Sequence, residues 1–134
     1  CKAVEELVQN SDIICTTTPS TTPVLPDDKE LLRGKCIIAI GSYMPQMREI
    51  PDAVLELVDN VYIELPYACE ESGDLSQPLA NGKLTKDRIK LMHEYLASDE
   101  QEIKEGQTTY FKSVGMGLFD VCIAQKLYEI AKEK

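Results

Sequence analysis

Cys36-Ile37-Ile38-Ala39-Ile40-Gly41 is the stretch that decides the fold of this chain. Its first five residues are all apolar and mostly β-branched, a pattern typical of a parallel strand that is covered on both faces. Two similar apolar runs lie on either side of it, at residues 13–17 and 61–65. The sequence therefore predicts three short buried strands.

Helical patterns separate these strands. Residues 3–8 carry one apolar face, residues 27–32 can form a helical turn that ends at Gly34, and Pro51 suits the first turn of a further helix. Strands that alternate with helices at this spacing imply right-handed crossovers and a parallel sheet. We therefore predict an α/β fold in three layers, with about three parallel strands and C-terminal helices.

The last third of the chain is predicted to be helical. Thr85 can cap a helix over residues 86–97, a polar connector covers residues 98–106, and a long helix follows over residues 114–132. The first half of that long helix is apolar on nearly every side. This pattern predicts that other elements sandwich it.

Charge and cysteine content exclude several classes of site. The net charge is −9 and the acidic residues are scattered, which argues against binding to nucleic acid or to an anionic membrane surface. No apolar run approaches the roughly 20 residues of a membrane helix. Five cysteines lie far apart with a single histidine, so we expect no metal site.

Individual cysteines and the histidine have structural interpretations. Cys15, Cys36 and Cys122 lie in apolar runs, where a reduced thiol packs as a small hydrophobic group. His93 is interpreted as an exposed or half-exposed helical residue.

Three short segments could carry chemistry, because ligands of an open parallel sheet bind beyond the carboxyl ends of its strands. Gly41 permits a positive φ and close approach of a flat ring, although a plain turn glycine explains it equally well. Thr18-Pro19 fits a simple strand-ending turn. Around Ser113-Val114-Gly115, free N–H groups could bind a carboxamide or an anion, with capping of the long helix as the alternative.

The same segments match the loops of one enzyme family. They are Thr16-Thr17-Thr18-Pro19-Ser20, Ala39-Ile40-Gly41-Ser42-Tyr43-Met44-Pro45 and Phe111-Lys112-Ser113-Val114-Gly115-Met116-Gly117. Through them the chain resembles the C-terminal part of the ornithine cyclodeaminase and mu-crystallin family, nicotinamide-dependent enzymes of amino acids and cyclic imines. The resemblance implies that the strands form the second half of a Rossmann-like sheet.

The resemblance also implies a longer parent protein. A chain of 134 residues is short for a two-domain dehydrogenase, lacks an initiator Met and opens inside a helical pattern. We expect residues 1–134 to be a partial NAD(P)-binding domain with a C-terminal helical segment. The first half of the domain and the substrate domain are expected to be absent, and the parent to be a cytoplasmic homodimer.

Carried over position by position, the family pattern assigns cofactor contacts to Thr18, to Ile40, Gly41 and Ser42 beside the nicotinamide, and to Ser113. Val114 then lines the substrate side. The resemblance thus implies NAD or NADP as cofactor and a small amino or imino acid as substrate.

The chain departs from the cyclodeaminase pattern at Tyr43, where those enzymes carry an Asp proposed as catalytic acid or base. A cofactor-contacting Lys of the family is replaced by Met47. Tyrosine, with an ordinary pKa of about 10, is a poor base at neutral pH. Tyr43 could orient the substrate or pack against a loop. Arg48 and Lys112 are the nearest cations, and we interpret both as surface ion-pair residues rather than substrate clamps.

These departures favour reduction of a cyclic ketimine, as in the mu-crystallin branch. Two alternatives stay open. One is an ornithine cyclodeaminase, which converts ornithine to proline and ammonia, and the other is a non-catalytic ligand-binding member of the family.

Overall fold

A parallel sheet of five strands forms the centre of the chain, and the computed structural model describes residues 3–98 and 103–132. The strands are β1 (Ile13–Thr16), β2 (Cys36–Ala39), β3 (Val61–Ile63), β4 (Ile89–Leu91) and β5 (Thr109–Lys112). They lie side by side in the order β1-β2-β5-β3-β4, and every neighbouring pair is parallel. The predicted α/β class and parallel sheet are confirmed.

Seven α-helices precede, connect or follow these strands within the described residues. They are α1 (Val4–Gln9), α2 (Lys29–Leu32), α3 (Asp52–Leu57), α4 (Ala68–Glu71), α5 (Gly73–Ala80), α6 (Met92–Ala97) and α7 (Gly117–Lys132). Asp28 caps α2 by accepting hydrogen bonds from the amides of Glu30 and Leu31, and Gly34 beyond its end has a φ of 73°. The helical turn predicted over residues 27–32 is therefore confirmed, apart from its first residues.

One face of the sheet carries the core. The strand register places Ile14, Ile37 and Tyr110 in a row across β1, β2 and β5, and all three are buried. Apolar side chains of the first five helices pack on this row: Val8, Leu32, Ala53, Val54, Leu55, Ala68 and Leu75. On the opposite face Ile13 of the edge strand β1 is 66% exposed, whereas Tyr62 of β3 is buried beside Tyr95 of α6, so within the described residues this face is covered only in part.

The prediction of about three strands was wrong, because β4 was included in a helix and β5 was not recognised as a strand. β4 is a run of three residues inside the stretch 86–97, where the helical spacing of Ile89, Met92 and Leu96 favoured one continuous helix. β5 contains Lys112 in the middle of the sheet, and a lysine there is unexpected for a buried strand. The stretch 86–97 thus consists of a 3₁₀ turn (Lys86–Arg88), β4 and the helix α6.

The long C-terminal helix begins at Gly117 rather than at residue 114, and every residue of α7 is exposed. The prediction that other elements sandwich its first half is wrong for the described residues. An apolar helix surface indicates that the helix packs against another segment, but the sequence pattern does not identify that segment. The predicted connector over residues 98–106 falls partly on 99–102, outside the described residues.

The cysteine interpretations need correction as well. Cys15 is exposed because it lies on the open face of β1, and Cys122 is exposed because it lies on α7. Cys36 is only partly buried. His93 is exposed on α6, as predicted. Within residues 3–98 and 103–132, no helix is both long and apolar enough to cross a membrane.

Candidate functional site

The three loops singled out in the sequence meet at one edge of the sheet. The register aligns Thr16 of β1 with Ala39 of β2, and Ala39 with Lys112 of β5, so these strands end side by side. Parallel strands present their carboxyl ends at a common edge. The loops after β1, β2 and β5 therefore lie next to one another.

A buried carboxylate joins the first two loops. Glu49 has no exposed surface, and its two oxygens accept four hydrogen bonds. Oε2 accepts from Thr16 Oγ1 at 2.9 Å and from the amide of Gly41 at 2.8 Å. Oε1 accepts from the amide of Thr18 at 2.5 Å and from Thr18 Oγ1 at 2.8 Å. The carboxylate can be buried because each of its two oxygens accepts two hydrogen bonds from the loops.

Gly41 is needed for backbone packing rather than for a positive φ. Its φ is not positive, which contradicts one reason for singling it out. A Cβ at this position would lie 2.2 Å from both the amide nitrogen and the carbonyl oxygen of Thr18. The loops after β1 and β2 therefore approach too closely for any side chain between them.

The side chain of Ser42 points into the protein. It is fully buried, donates to the carbonyl oxygen of Met47 at 2.9 Å and lies 3.0 Å from the hydroxyl of Ser72. Ser42 thus braces its own loop, and any cofactor contact would have to use its backbone. Ile40 is 37% exposed and Tyr43 is 49% exposed, so both face the surface at this edge.

A second carboxylate occupies the amide groups of the third loop. Glu64, which follows β3, accepts through Oε1 from Ser113 Oγ at 2.9 Å, the amide of Val114 at 2.6 Å and the amide of Gly115 at 3.1 Å. These are the groups that the sequence suggested for an anion or a carboxamide. Ser113 does not cap the long helix, because α7 begins four residues later.

The two oxygens of Glu64 differ in their surroundings. Oε2 is buried and has no hydrogen-bond partner among the described residues. Tyr67 adds a further restraint by donating its hydroxyl to the carbonyl oxygen of Gly115 at 2.9 Å. Gly115 has a φ of 89°, a conformation that favours glycine at this turn.

Lys112 is the buried cation between these loops. The sequence interpretation as a surface ion-pair residue is wrong, since Lys112 is fully buried with its Nζ 3.6 Å from Asp74 Oδ2. Lys112 shares the covered face of β5 with Tyr110, two residues earlier in the strand, so its side chain is directed inward. Burial lowers the pKa of Lys112 and raises the pKa of Asp74, and burial raises the pKa of Tyr110 well above its ordinary value.

Arg48 forms an ion pair, as predicted, although it is largely buried. Its Nη2 lies 2.5 Å from Asp52 Oδ1, and Lys83 contacts the other oxygen of the same carboxylate. The hydrogen bond from Lys83 is the main reason that the pKa of Asp52 is lowered. Neither Arg48 nor Lys112 is free to clamp a substrate carboxylate in this arrangement.

Sequence reasoning missed the three carboxylates that organise this edge. Glu64 could have been found, because it directly follows a buried strand at its carboxyl end. Glu49 and Asp74 lie in segments of ordinary polar character, and no sequence signal distinguishes them. Among the described residues, no three His, Cys, Asp or Glu side chains are arranged to hold a metal ion.

A pocket of about 360 Å³ opens beside the third loop. Its walls include Phe111, Met116 and Phe119, and its opposite side is formed by Met92 and His93. Glu64 also lines it. The pocket is therefore an apolar space at the carboxyl edge of the sheet, next to the buried carboxylate that holds Ser113.

Comparison with known proteins gives consistent matches over the whole chain. The ornithine cyclodeaminase/mu-crystallin family model matches residues 1–134. A Delta(1)-pyrroline-2-carboxylate reductase of Bacillus cereus is 35% identical, over 98% of this chain and 41% of that protein. The ketimine reductase mu-crystallin of Rattus norvegicus is 30% identical, over 96% of this chain and 39% of that protein.

A solved structure agrees in fold. The Delta(1)-pyrroline-2-carboxylate reductase of Thermococcus litoralis, in complex with NADH and L-proline, matches with a TM-score of 0.82 at 24% identity. The match covers 99% of this chain and 42% of that chain. The chain thus spans well under half the length of the curated relatives it matches. Since the family model extends from the first residue to the last, this chain belongs to the ornithine cyclodeaminase/mu-crystallin family.

Proposed function

We propose that this chain supplies half of the cofactor site of an NAD- or NADP-dependent reductase that acts on a cyclic ketimine or imino acid. In this proposal residues 1–134 are the second half of a Rossmann-like domain with a C-terminal helical segment. The remaining half of that domain and a substrate domain belong to the same longer protein. That protein is proposed to be a cytoplasmic homodimer.

The convergence of three loops at one sheet edge carries the proposal. Thr18, Gly41 and Ser113 come from three separate strand ends, and two buried carboxylates hold them in fixed positions. Dinucleotides bind in this location in open parallel sheets. The relatives named as pyrroline-2-carboxylate and ketimine reductases support the same reaction class.

The described residues are compatible with a nicotinamide group. Glu64 Oε2 is a buried acceptor to which no described residue donates, and it belongs to the residue that holds Ser113 and Val114. A nicotinamide carboxamide carries an N–H donor of the kind that this oxygen lacks. Ser113 itself already donates to Glu64, so we assign it the role of holding the loop.

The chemistry divides between cofactor and protein. When bound, a reduced nicotinamide supplies a hydride for the imine carbon, and the imine nitrogen takes up a proton to complete the amine. The loops of this chain orient the ring through Ile40, Gly41 and Ser42, while Val114 faces the substrate. Tyr43 is exposed at the same edge, where its hydroxyl can orient a carboxylate or an imine nitrogen.

Two other functions are separated from this one by experiment. The full-length protein is incubated with NADH or NADPH and a pyrroline- or piperideine-2-carboxylate, and cofactor oxidation is followed by absorbance. In parallel, ammonia release from ornithine is measured. We expect imine-dependent oxidation without ammonia. Conversion of ornithine to proline would establish the cyclodeaminase instead, and cofactor binding without either reaction would favour the non-catalytic binding protein.

A further inference from the structure

We propose that Glu49 is a positioning residue for the cofactor, which sets the distance between the loops after β1 and β2. This inference rests on the proposed function, because it assigns those loops to a nicotinamide nucleotide. Glu49 itself is buried beneath the loops and acts through Thr18 and Gly41.

The division of donors between its two oxygens supports this role. Oε2 bridges the strands, since it accepts from Thr16 Oγ1 at the end of β1 and from the amide of Gly41 after β2. Oε1 accepts both donors of Thr18. Hydrogen bonds to a charged acceptor are roughly twice as strong as neutral ones. One carboxylate thus fixes both loops at once.

The charge is essential to this geometry because all four partners are donors. A glutamine would present one oxygen and one NH₂ group to the same four partners. Its NH₂ group would face either Thr18 or Gly41, and an N–H donor cannot accept a hydrogen bond from either amide. A neutral side chain of the same shape therefore releases at least one loop.

The backbone of Glu49 is anchored at both of its polar groups. Glu49 lies in the connection between β2 and α3, eight residues after Gly41. Its amide donates to Asp74 Oδ1 at 2.7 Å, and its carbonyl oxygen accepts from the amide of Val24, in the connection after β1, at 2.8 Å. Asp74 in turn faces the buried Lys112. Because the backbone is held in this way, we expect a change of the Glu49 side chain to shift Thr18 and Gly41 rather than Glu49 itself.

The loops after β1 and β2 are in direct backbone contact. Gly41 and Thr18 pack so closely that a Cβ at Gly41 would lie 2.2 Å from the Thr18 backbone. Any separation of the loops therefore changes the surface formed by Ile40 and Gly41. In the proposed function this is the surface that meets the nicotinamide.

The test uses Glu49→Gln in the full-length protein, with Asp27→Asn as a matched control. Asp27 also accepts one distant backbone amide, that of Ala53 at 2.9 Å, but it lies at the α2 end of the connection after β1, nine residues beyond Thr18. We measure the dissociation constant of NADH or NADPH by fluorescence titration, together with kcat, the KM of each substrate and the melting temperature.

We expect Glu49→Gln to weaken cofactor binding by about tenfold or more, which corresponds to the loss of one charged hydrogen bond. The KM of the imine should stay within about twofold, and Asp27→Asn should leave both constants within about twofold of wild type. A lower melting temperature with unchanged cofactor affinity would overturn the positioning role and leave Glu49 purely structural.

A second variant covers the case in which Glu49→Gln does not fold. Thr16→Val removes one of the four donors and keeps the carboxylate and the volume, so cofactor affinity should fall by about two- to fourfold. Unchanged affinity in this variant would overturn the inference. A wild-type protein that binds no nicotinamide cofactor would overturn the proposed function, and this inference with it, whereas a wild type that binds and variants that bind equally would overturn the inference alone.

Discussion

Two buried glutamates hold the loops at the carboxyl edge of the sheet, and they differ in how fully they are paired. Glu49 has donors on both oxygens and joins the loops after β1 and β2. Glu64 has three donors on Oε1, whereas Oε2 has none among the described residues. In the Glu49 region both carboxylate oxygens are hydrogen-bonded. In the Glu64 region one carboxylate oxygen is left without a donor among the described residues.

This difference indicates what each region is built to do. A fully paired buried carboxylate gains no further hydrogen bond when a ligand arrives, so the Glu49 region provides a rigid support. A half-paired one costs free energy until a donor is supplied. In the proposed function, the Glu64 region, which also borders the apolar pocket, offers a ligand donor an acceptor that the described residues leave unpaired.

Gly41→Ala should have the largest effect, because it disrupts the Glu49 region directly. The added methyl group would meet backbone atoms of Thr18 at 2.2 Å, and backbone cannot move aside as a flexible side chain can. We expect a loss of roughly 3 kcal/mol or more in the free energy of unfolding. Urea denaturation measures it. Gly82→Ala serves as a comparison, since its Cβ meets nothing within 4 Å and only its φ of 78° opposes the change. Equal, small effects at both glycines would contradict the close packing of the loops.

Lys112→Met should come next, because it removes the positive charge that faces both regions. Asp74 then remains buried without its cation, and we expect a loss of about 2 kcal/mol at neutral pH. The double variant with Asp74→Asn should recover part of that loss. If the single and double variants lose the same free energy, the two side chains are not energetically coupled.

The same variant predicts a dependence on pH. Burial lowers the pKa of Lys112 below its ordinary value of 10.5, so the unfolded chain binds a proton in a pH range where the folded chain does not. The stability of wild type should therefore rise, relative to Lys112→Met, as the pH increases toward 10.5. Urea denaturation at several pH values in that range tests the sign. A constant difference between the two proteins would mean that the pKa of Lys112 is not lowered by folding.

The contrast between the regions also explains what the sequence could predict. Continuous apolar runs identified β1, β2 and β3, because such runs are typical of parallel strands, although one face of β1 is exposed among the described residues. They did not identify β5, whose Lys112 is tolerated in the sheet through Asp74. That partner lies 38 positions earlier in the chain, so no local pattern reveals it.

The site was predictable in the same uneven way. Gly41 and Ser113 could be located from their places after strands, but the direction of their contacts could not, because Glu49 lies eight residues beyond Gly41 and Glu64 belongs to another segment. The family resemblance supplied the cofactor roles and no local geometry. For Ser42, it could not reveal that the hydroxyl turns inward to Met47.

Ser113→Ala should have a moderate effect that sharpens the comparison. It removes one of the three donors to Glu64 Oε1 and leaves the amides of Val114 and Gly115 in place. We expect a loss of about 1 kcal/mol in the free energy of unfolding, typical of one hydrogen bond. Cofactor affinity in the full-length protein should fall severalfold. Ser11→Ala is a suitable control, because its hydroxyl donates locally to the carbonyl oxygen of Leu7 and lies before β1, at the opposite end of that strand from the cofactor loops. An unchanged affinity would show that Glu64 does not need Ser113 to hold the loop.

Tyr43→Phe should have the smallest effect on stability, within about 0.5 kcal/mol, since the side chain is 49% exposed. The variant distinguishes the two roles considered for Tyr43, which are orientation of the substrate and packing against a loop. If the hydroxyl orients the imine, kcat or the KM of the imine changes, while cofactor affinity stays constant because Glu49 and Glu64 are untouched. If Tyr43 only packs against a loop, neither kinetic constant changes. Steady-state kinetics of the full-length protein with a cyclic imine carboxylate decides between them, and a change confined to cofactor affinity would contradict both roles.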